Sequence, residues 1–184
     1  MKRAAYILFI FIAAQVLSSV LVSFFLNLPR LIAGEPLDAT LIAQNPTALG
    51  ICLLLADVCT LFFAWLVTGH PRLQKEVSNP QVGWSILVTL PAILIVNLLT
   101  VWLALPDTNG PEFTQMVSSP LCLFVMVLLG PVVEEFVFRY GILGSLIKGG
   151  ASPIVAIVVS AVLFGLVHFN PAQTPAAVCL GALF

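Results

Sequence analysis

The 184-residue chain is 60% hydrophobic and 8% charged, with a formal net charge of −1 and a mean hydropathy of +1.13. A soluble domain carries roughly 25% charged residues, so this composition excludes an ordinary water-facing surface and points to a lipid bilayer as solvent. No basic stripe runs along the chain, which leaves nucleic-acid binding without an electrostatic footing.

Crossing the hydrocarbon core takes about 20 apolar residues as helix. Five stretches meet or approach that length: residues 4–28, 49–68, 84–105, 120 to about 147, and 153–169. A sixth apolar run starts after Pro175 and stops at Phe184. The expected architecture is an all-α, multi-pass transmembrane bundle: one integral membrane domain over residues 1–184, with five full spans and a truncated sixth. The chain reads as C-terminally incomplete, with its motif-bearing core at about 120–170.

The first stretch follows Lys2 and Arg3. Its apolar run exceeds the roughly 7–15 residues of a signal-peptide core, so it reads as a span. Prolines and glycines mark the connections at 29–46, 69–80, 106–111 and 148–150. With the N-terminus cytoplasmic, the inner segments carry Lys2, Arg3, Arg72, Lys75 and Lys148, and the outer loops only Arg30. That asymmetry predicts an N-in topology in the plasma (inner) membrane. Trp65 and Trp84 then fall near the inner interface and Trp102 near the outer one.

Most polar residues in the early spans have plain readings. Cys52, Cys59, Cys122 and Cys179 form no C-x-x-C pair and read as small hydrophobes. Asp57 and Asn97 lie mid-span, Asp57 either serving the site or accepting hydrogen bonds in the bundle. His70, beside Pro71 and Arg72, reads as solvated.

The fourth span is different, because Glu134, Glu135 and Arg139 interrupt it. A charge at mid-bilayer costs at least about 2.5–3.5 kcal/mol on insertion scales. Glu135 and Arg139, four apart, share an α-helical face. Glu134 stands roughly 140° around an α-helix from Arg139 and lacks that partner. His168 ends the fifth span. Glu134 is 14 residues before Lys148 and His168 is 15 after Pro153, so a hairpin turning at Gly149-Gly150 would bring both to one depth, roughly 21–23 Å from the turn.

Two further features favour a wet cavity there. Pro131 cannot donate to the Val127 carbonyl, which predicts a bend. Ala161 and Gly165 form a small-x-x-x-small pair that allows close helix approach. A carboxylate and an imidazole sharing such a cavity can hold and deprotonate a water. Plainer readings stand beside these: Arg139 can snorkel with a structural Glu135, and a histidine at a helix end can be interfacial. The joint occurrence of acids, base and histidine on consecutive spans favours function.

These residues resemble the CAAX-protease and bacteriocin-processing (CPBP, or Abi) family of intramembrane peptidases. The E-E-x-x-x-R motif stands as Glu134-Glu135-Phe136-Val137-Phe138-Arg139, and F-x-x-x-H as Phe164-Gly165-Leu166-Val167-His168. The likeness covers about residues 121–170. It implies an endopeptidase in which Glu134 and His168 activate water, while Glu135 and Arg139 orient that pair and neutralise charge. The family's third motif, a histidine followed four positions later by Asn, is missing after His168. It would stabilise the oxyanion.

Although the family is often labelled metallopeptidase, no H-E-x-x-H motif is present. A divalent metal such as zinc, held by Glu134 and His168 and a third ligand, and a metal-free glutamate mechanism stay equally open. Implied partners are the lipid bilayer and peptide or protein substrates, prenylated ones included. Two rival functions use the same residues: a proton-coupled carrier with a Glu/Arg/His relay, and a non-catalytic immunity or scaffold protein.

Overall fold

The structure is a computed structural model describing residues 2–69, 79–108, 113–114 and 116–183, with the backbone alone for residues 79–86 and 90. His70, Arg72 and Lys75 of the expected inner loop, Pro111 and Glu112 of the outer one, and the Trp84 side chain lie outside the described residues. The described residues include the helices α1 (Lys2–Ile32), α2 (Leu41–Gln44), α3 (Pro46–Thr68), α4 (Asn79–Leu103), α5 (Pro120–Lys148), α6 (Pro153–Leu166) and α7 (Thr174–Leu183), and no strand. This is the all-α membrane bundle that the apolar runs predict.

Span lengths divide the helices. α1, α3 and α5 have 31, 23 and 29 residues and are long and apolar enough to cross a membrane. Within α4 the apolar stretch is Leu87–Leu103. α6 is 14 residues, about 21 Å of helix, and so is shorter than the expected run to Phe169. It ends at Leu166 because the chain turns there: the Val167 N–H still reaches the Leu163 carbonyl, but the His168 N–H drops back to Gly165.

Three of these helices start the same way. Asn45, Ser119 and Ser152 are N-caps, each followed by proline at the first helical position. The Asn45 side chain accepts from the Thr47 and Ala48 amides, both at 3.1 Å. A proline there lacks only a donor that the helix would leave orphaned, and its φ is already helical.

The chain divides into two compact units, Met1–Gly69 with Asn109–Ile142, and His70–Thr108 with Leu143–Phe184. In the first, α1 runs antiparallel to both α3 and α5. Val22 packs with Ala48 and Cys52, Phe11 meets Phe138 edge-on at 5.6 Å, and Gly141 accommodates Ile7. α3 and α5 are parallel: the Cys122 thiol donates to the Pro46 carbonyl at 3.1 Å, and Gly50 abuts Leu121 and Cys122. A side chain at Gly50 would meet the Leu121 side chain at 3.0 Å, so glycine is what lets the helices close.

Buried positions are mostly small, among them Ala4, Ala14, Ala56, Ala64, Ala156, Ala161 and Ala177. Many large side chains face outward, as with Phe9 (69% exposed), Val101 (79%) and Ile154 (76%). Lipid is as apolar as leucine, so contact between membrane helices favours small residues that let backbones approach. All four cysteines are free, with Cys52 and Cys122 buried.

In the second unit, α6 and α7 form an antiparallel pair. Gly165 lies under Thr174 and Val178, while Gly181 lies against Ala161 and Phe164. The expected Ala161/Gly165 approach is therefore made, and its partner is α7. The turn before α6 is also as expected: Gly150 has φ +89°, and the Ala151 amide returns to the Leu146 carbonyl at 3.1 Å.

Candidate active site

Helix α5 is not uniformly α-helical. Val125–Leu129 and Glu135–Leu143 are wound as π-helix, with α-helical Gly130–Glu134 between them. The Gly130 amide bonds the Val125 carbonyl five residues back, so the ladder widens just before Pro131, whose ring and missing N–H would strain a regular turn. The expected bend at this proline takes the form of an enlarged turn. Such π-segments concentrate at functional sites.

This winding corrects the helical-face reading of the acids. With hydrogen bonds spanning five residues, a turn takes between about four and five residues. Residues five apart, such as Glu134 and Arg139, then come within roughly a quarter turn of each other instead of 140°. The Phe136 carbonyl facing Gly141, five positions on, shows the same register. Glu135 and Arg139 attract one another, as their spacing predicts. Glu134 and Arg139 are half-buried and Glu135 is exposed.

α3 packs against the Gly130–Glu134 segment. Asp57, 7% exposed, stands within electrostatic reach of Glu134. Below them Phe136 lines an open apolar groove of about 400 Å³ with Val58, Leu61, Phe62 and Trp65. The structure thus gathers Glu134, Glu135 and Arg139 on one helix, with Asp57 beside them, in the first unit. Among the described residues Asn97 bonds its own helix, donating to the Ile93 carbonyl at 2.8 Å.

His168 belongs to the second unit, in the turn after α6. Its Nδ1 lies 2.7 Å from the Phe164 carbonyl oxygen, which can only accept. Nδ1 therefore carries the proton, and Nε2 keeps its lone pair in the neutral ring. The Phe164 ring meets the imidazole edge-on at 4.9 Å between centroids. The F-x-x-x-H spacing has a physical reason here: one residue supplies the carbonyl that selects the tautomer and the ring that steadies the imidazole.

Asn170 and Asp107 complete this turn, and sequence reasoning missed both as site-shaping residues. Asn170, fully buried, donates to Asp107 Oδ1 at 2.8 Å. Its own Oδ1 accepts from the Thr108 and Ala172 amides at 3.4 and 3.2 Å. The Asn170 carbonyl accepts from the Thr174 amide and hydroxyl, both at 2.9 Å. Phe169 sits between with φ +48°, a left-handed conformation costing about 1–3 kcal/mol for a non-glycine residue, which these bonds hold in place. The Asn170-Pro171 dipeptide was the available signal, since Asn-Pro initiates turns.

Among the described residues no group of three or more His, Cys, Asp or Glu side chains could hold a metal ion.

Residues 116–184 match the family of type II CAAX prenyl endopeptidases, Rce1-like. The chain is 25% identical over 151 residues to the membrane-embedded CAAX protease MroQ of Staphylococcus aureus (strain USA300). That alignment covers 73% of this chain and 60% of the relative, so the chain spans less than two thirds of that protein. No solved structure matches significantly. Both matches and both motifs point the same way: the chain is similar to the CAAX-protease and bacteriocin-processing family of membrane-embedded peptidases.

Proposed function

We propose that the protein is an intramembrane endopeptidase of the CAAX-processing type, in which Glu134 and His168 act on one water. Glu134 takes a proton from that water as it attacks the peptide carbonyl carbon. The scissile C–N bond then breaks, and the same carboxyl returns the proton to the departing amine. His168, with Nδ1–H committed to Phe164, offers Nε2 to orient the water. Arg139 lowers the local negative charge and, with Glu135, steadies the Glu134 side chain.

The observation that carries this reading is the locked His168 tautomer, because it leaves a directed lone pair on a membrane helix end. A histidine held only for packing needs no such commitment. Substrates are peptides or proteins, prenylated C-terminal peptides among them, delivered in the plasma (inner) membrane to a chain whose N-terminus is cytoplasmic.

The test is cleavage of a farnesylated C-terminal peptide and its unprenylated counterpart by protein in liposomes. Glu134→Gln and His168→Ala should each lower the rate by about 10²–10⁴-fold, the usual worth of a general base. Undiminished cleavage by both variants would end the proposal. A Glu134→Cys, His168→Cys double variant on a background lacking the native cysteines should form a disulfide on mild oxidation. Failure to cross-link under any oxidant would separate the two residues.

A further inference from the structure

α3 brings a second polar pair to Glu134. Asp57 is 7% exposed and Thr60 is fully buried, and they lie one turn apart on the same helical face. Three contacts fix the level at which they stand. Cys122 bonds the Pro46 carbonyl, Gly50 abuts Leu121, and Val58 and Leu61 share an open groove with Phe136. Parallel α3 and α5 therefore set the Asp57–Thr60 turn beside Glu134, and the carboxyl groups of Asp57 and Glu134 interact electrostatically. That interaction is between like charges.

The Thr60 hydroxyl is buried and forms no hydrogen bond among the described residues. A hydroxyl at this depth ordinarily satisfies itself, because an unmade buried hydrogen bond has a free-energy cost that native proteins avoid, often with an ordered water. The local chemistry suits such a water. It can donate one hydrogen to each carboxylate, which removes their direct opposition, and accept from the Thr60 hydroxyl. Three partners are what a buried water typically has.

We infer that Asp57 and Thr60 hold an ordered water against the Glu134 carboxyl group and are positioning residues for it. The hydration site itself follows from α3 and α5 alone. Its catalytic consequence rests on the reading of Glu134 as the general base. With one oxygen of Glu134 engaged by this water, the other is presented to the substrate's water in a fixed direction. Misplacement of that oxygen affects the chemical step more than substrate binding.

Two measurements on the full chain in bilayers decide it. Water-edited solid-state NMR of ¹³C-labelled protein should show fast polarisation transfer from water to Asp57 Cγ and Thr60 Cβ, comparable with Asp38 in the loop after α1. Thr60→Val should slow the transfer to Asp57. Transfer at Asp57 as slow as at buried Ala64 would overturn the inference, as would transfer indifferent to Thr60→Val. In the kinetic arm, Thr60→Val and Asp57→Leu should lower kcat by about tenfold with KM unchanged, and Thr60→Ser should restore it. Loss of kcat in Thr60→Val that Thr60→Ser does not rescue overturns the positioning role. If Glu134→Gln cleaves normally, the peptidase reading fails, and the NMR arm still decides the hydration site.

Discussion

Replacing Gly165 by alanine tests whether the α6–α7 contact holds the His168 turn. A Cβ at this position would stand 2.3 Å from Val178 Cγ2, 2.9 Å from the Thr174 carbonyl oxygen and 3.3 Å from the Val178 amide nitrogen. Valine can rotate away from the first contact. The second is to backbone, so the helices themselves must separate by about half an ångström to reach ordinary van der Waals distance.

Overpacking of this kind costs about 1–3 kcal/mol. At about 2–4 °C per kcal/mol for a chain of this size, the thermal midpoint of Gly165→Ala should fall by roughly 2–12 °C. The Gly165 carbonyl also accepts from the Thr174 hydroxyl at 3.2 Å, the same hydroxyl that donates to Asn170. Moving α7 outward therefore loosens the turn carrying His168, and cleavage should fall by more than the unfolded fraction explains.

Gly181→Ala is the internal comparison. Its Cβ would meet Ala161 and the Phe164 ring at 3.2–3.3 Å, so it should shift the midpoint less. The assay is a fluorescence melting scan in detergent paired with peptide cleavage at a temperature where all variants are folded. A Gly165→Ala protein with an unchanged midpoint and full activity would refute the reasoning.

Two further perturbations address other parts of the molecule. Asn170→Ala should destabilise by about 1–3 kcal/mol, since it strips a buried hydrogen-bond hub, and should speed hydrogen exchange at the Thr108 and Ala172 amides; unaltered exchange there would show that the hub is not what holds the turn. In the loop after α1, the Thr40 hydroxyl and amide donate to Asp38 at 2.6 and 2.8 Å, hydroxyl first in effect, and hold its carboxyl below the usual carboxylate range. A depressed folded value means that this turn's stabilisation is complete above the unfolded pKa and is lost as pH falls through the folded one. Thr40→Ala should raise the Asp38 value in a ¹³C NMR titration while the amide keeps it below normal, and no movement would dismiss the hydroxyl's part.

Much of this protein was legible from residue order. Apolar runs longer than a bilayer is thick can only be helices, since lipid offers backbone groups no partners. Asn45-Pro46, Ser119-Pro120 and Ser152-Pro153 announce three helix starts through local chemistry alone. Glu134, Glu135, Arg139 and His168 stood out because ionisable groups are costly in an apolar setting, whatever surrounds them. The Ala161/Gly165 pair promised a close neighbour without saying which helix it would be.

The winding of α5 was decided only by tertiary structure. Four residues per face was the natural assumption for Glu135 and Arg139, and only the π-helical register shows that Glu134 also turns toward the arginine. Asp57 at Glu134 depends on α3 and α5 lying parallel with Gly50 closing the gap, a register set by packing between segments about seventy residues apart. Asn170 meets Asp107 across a similar distance, through side-chain geometry that no local pattern encodes. Local order determines which segments become helices and where charge is buried; which polar groups then meet follows from how those helices pack, because long-range contacts depend on shape that no single segment carries.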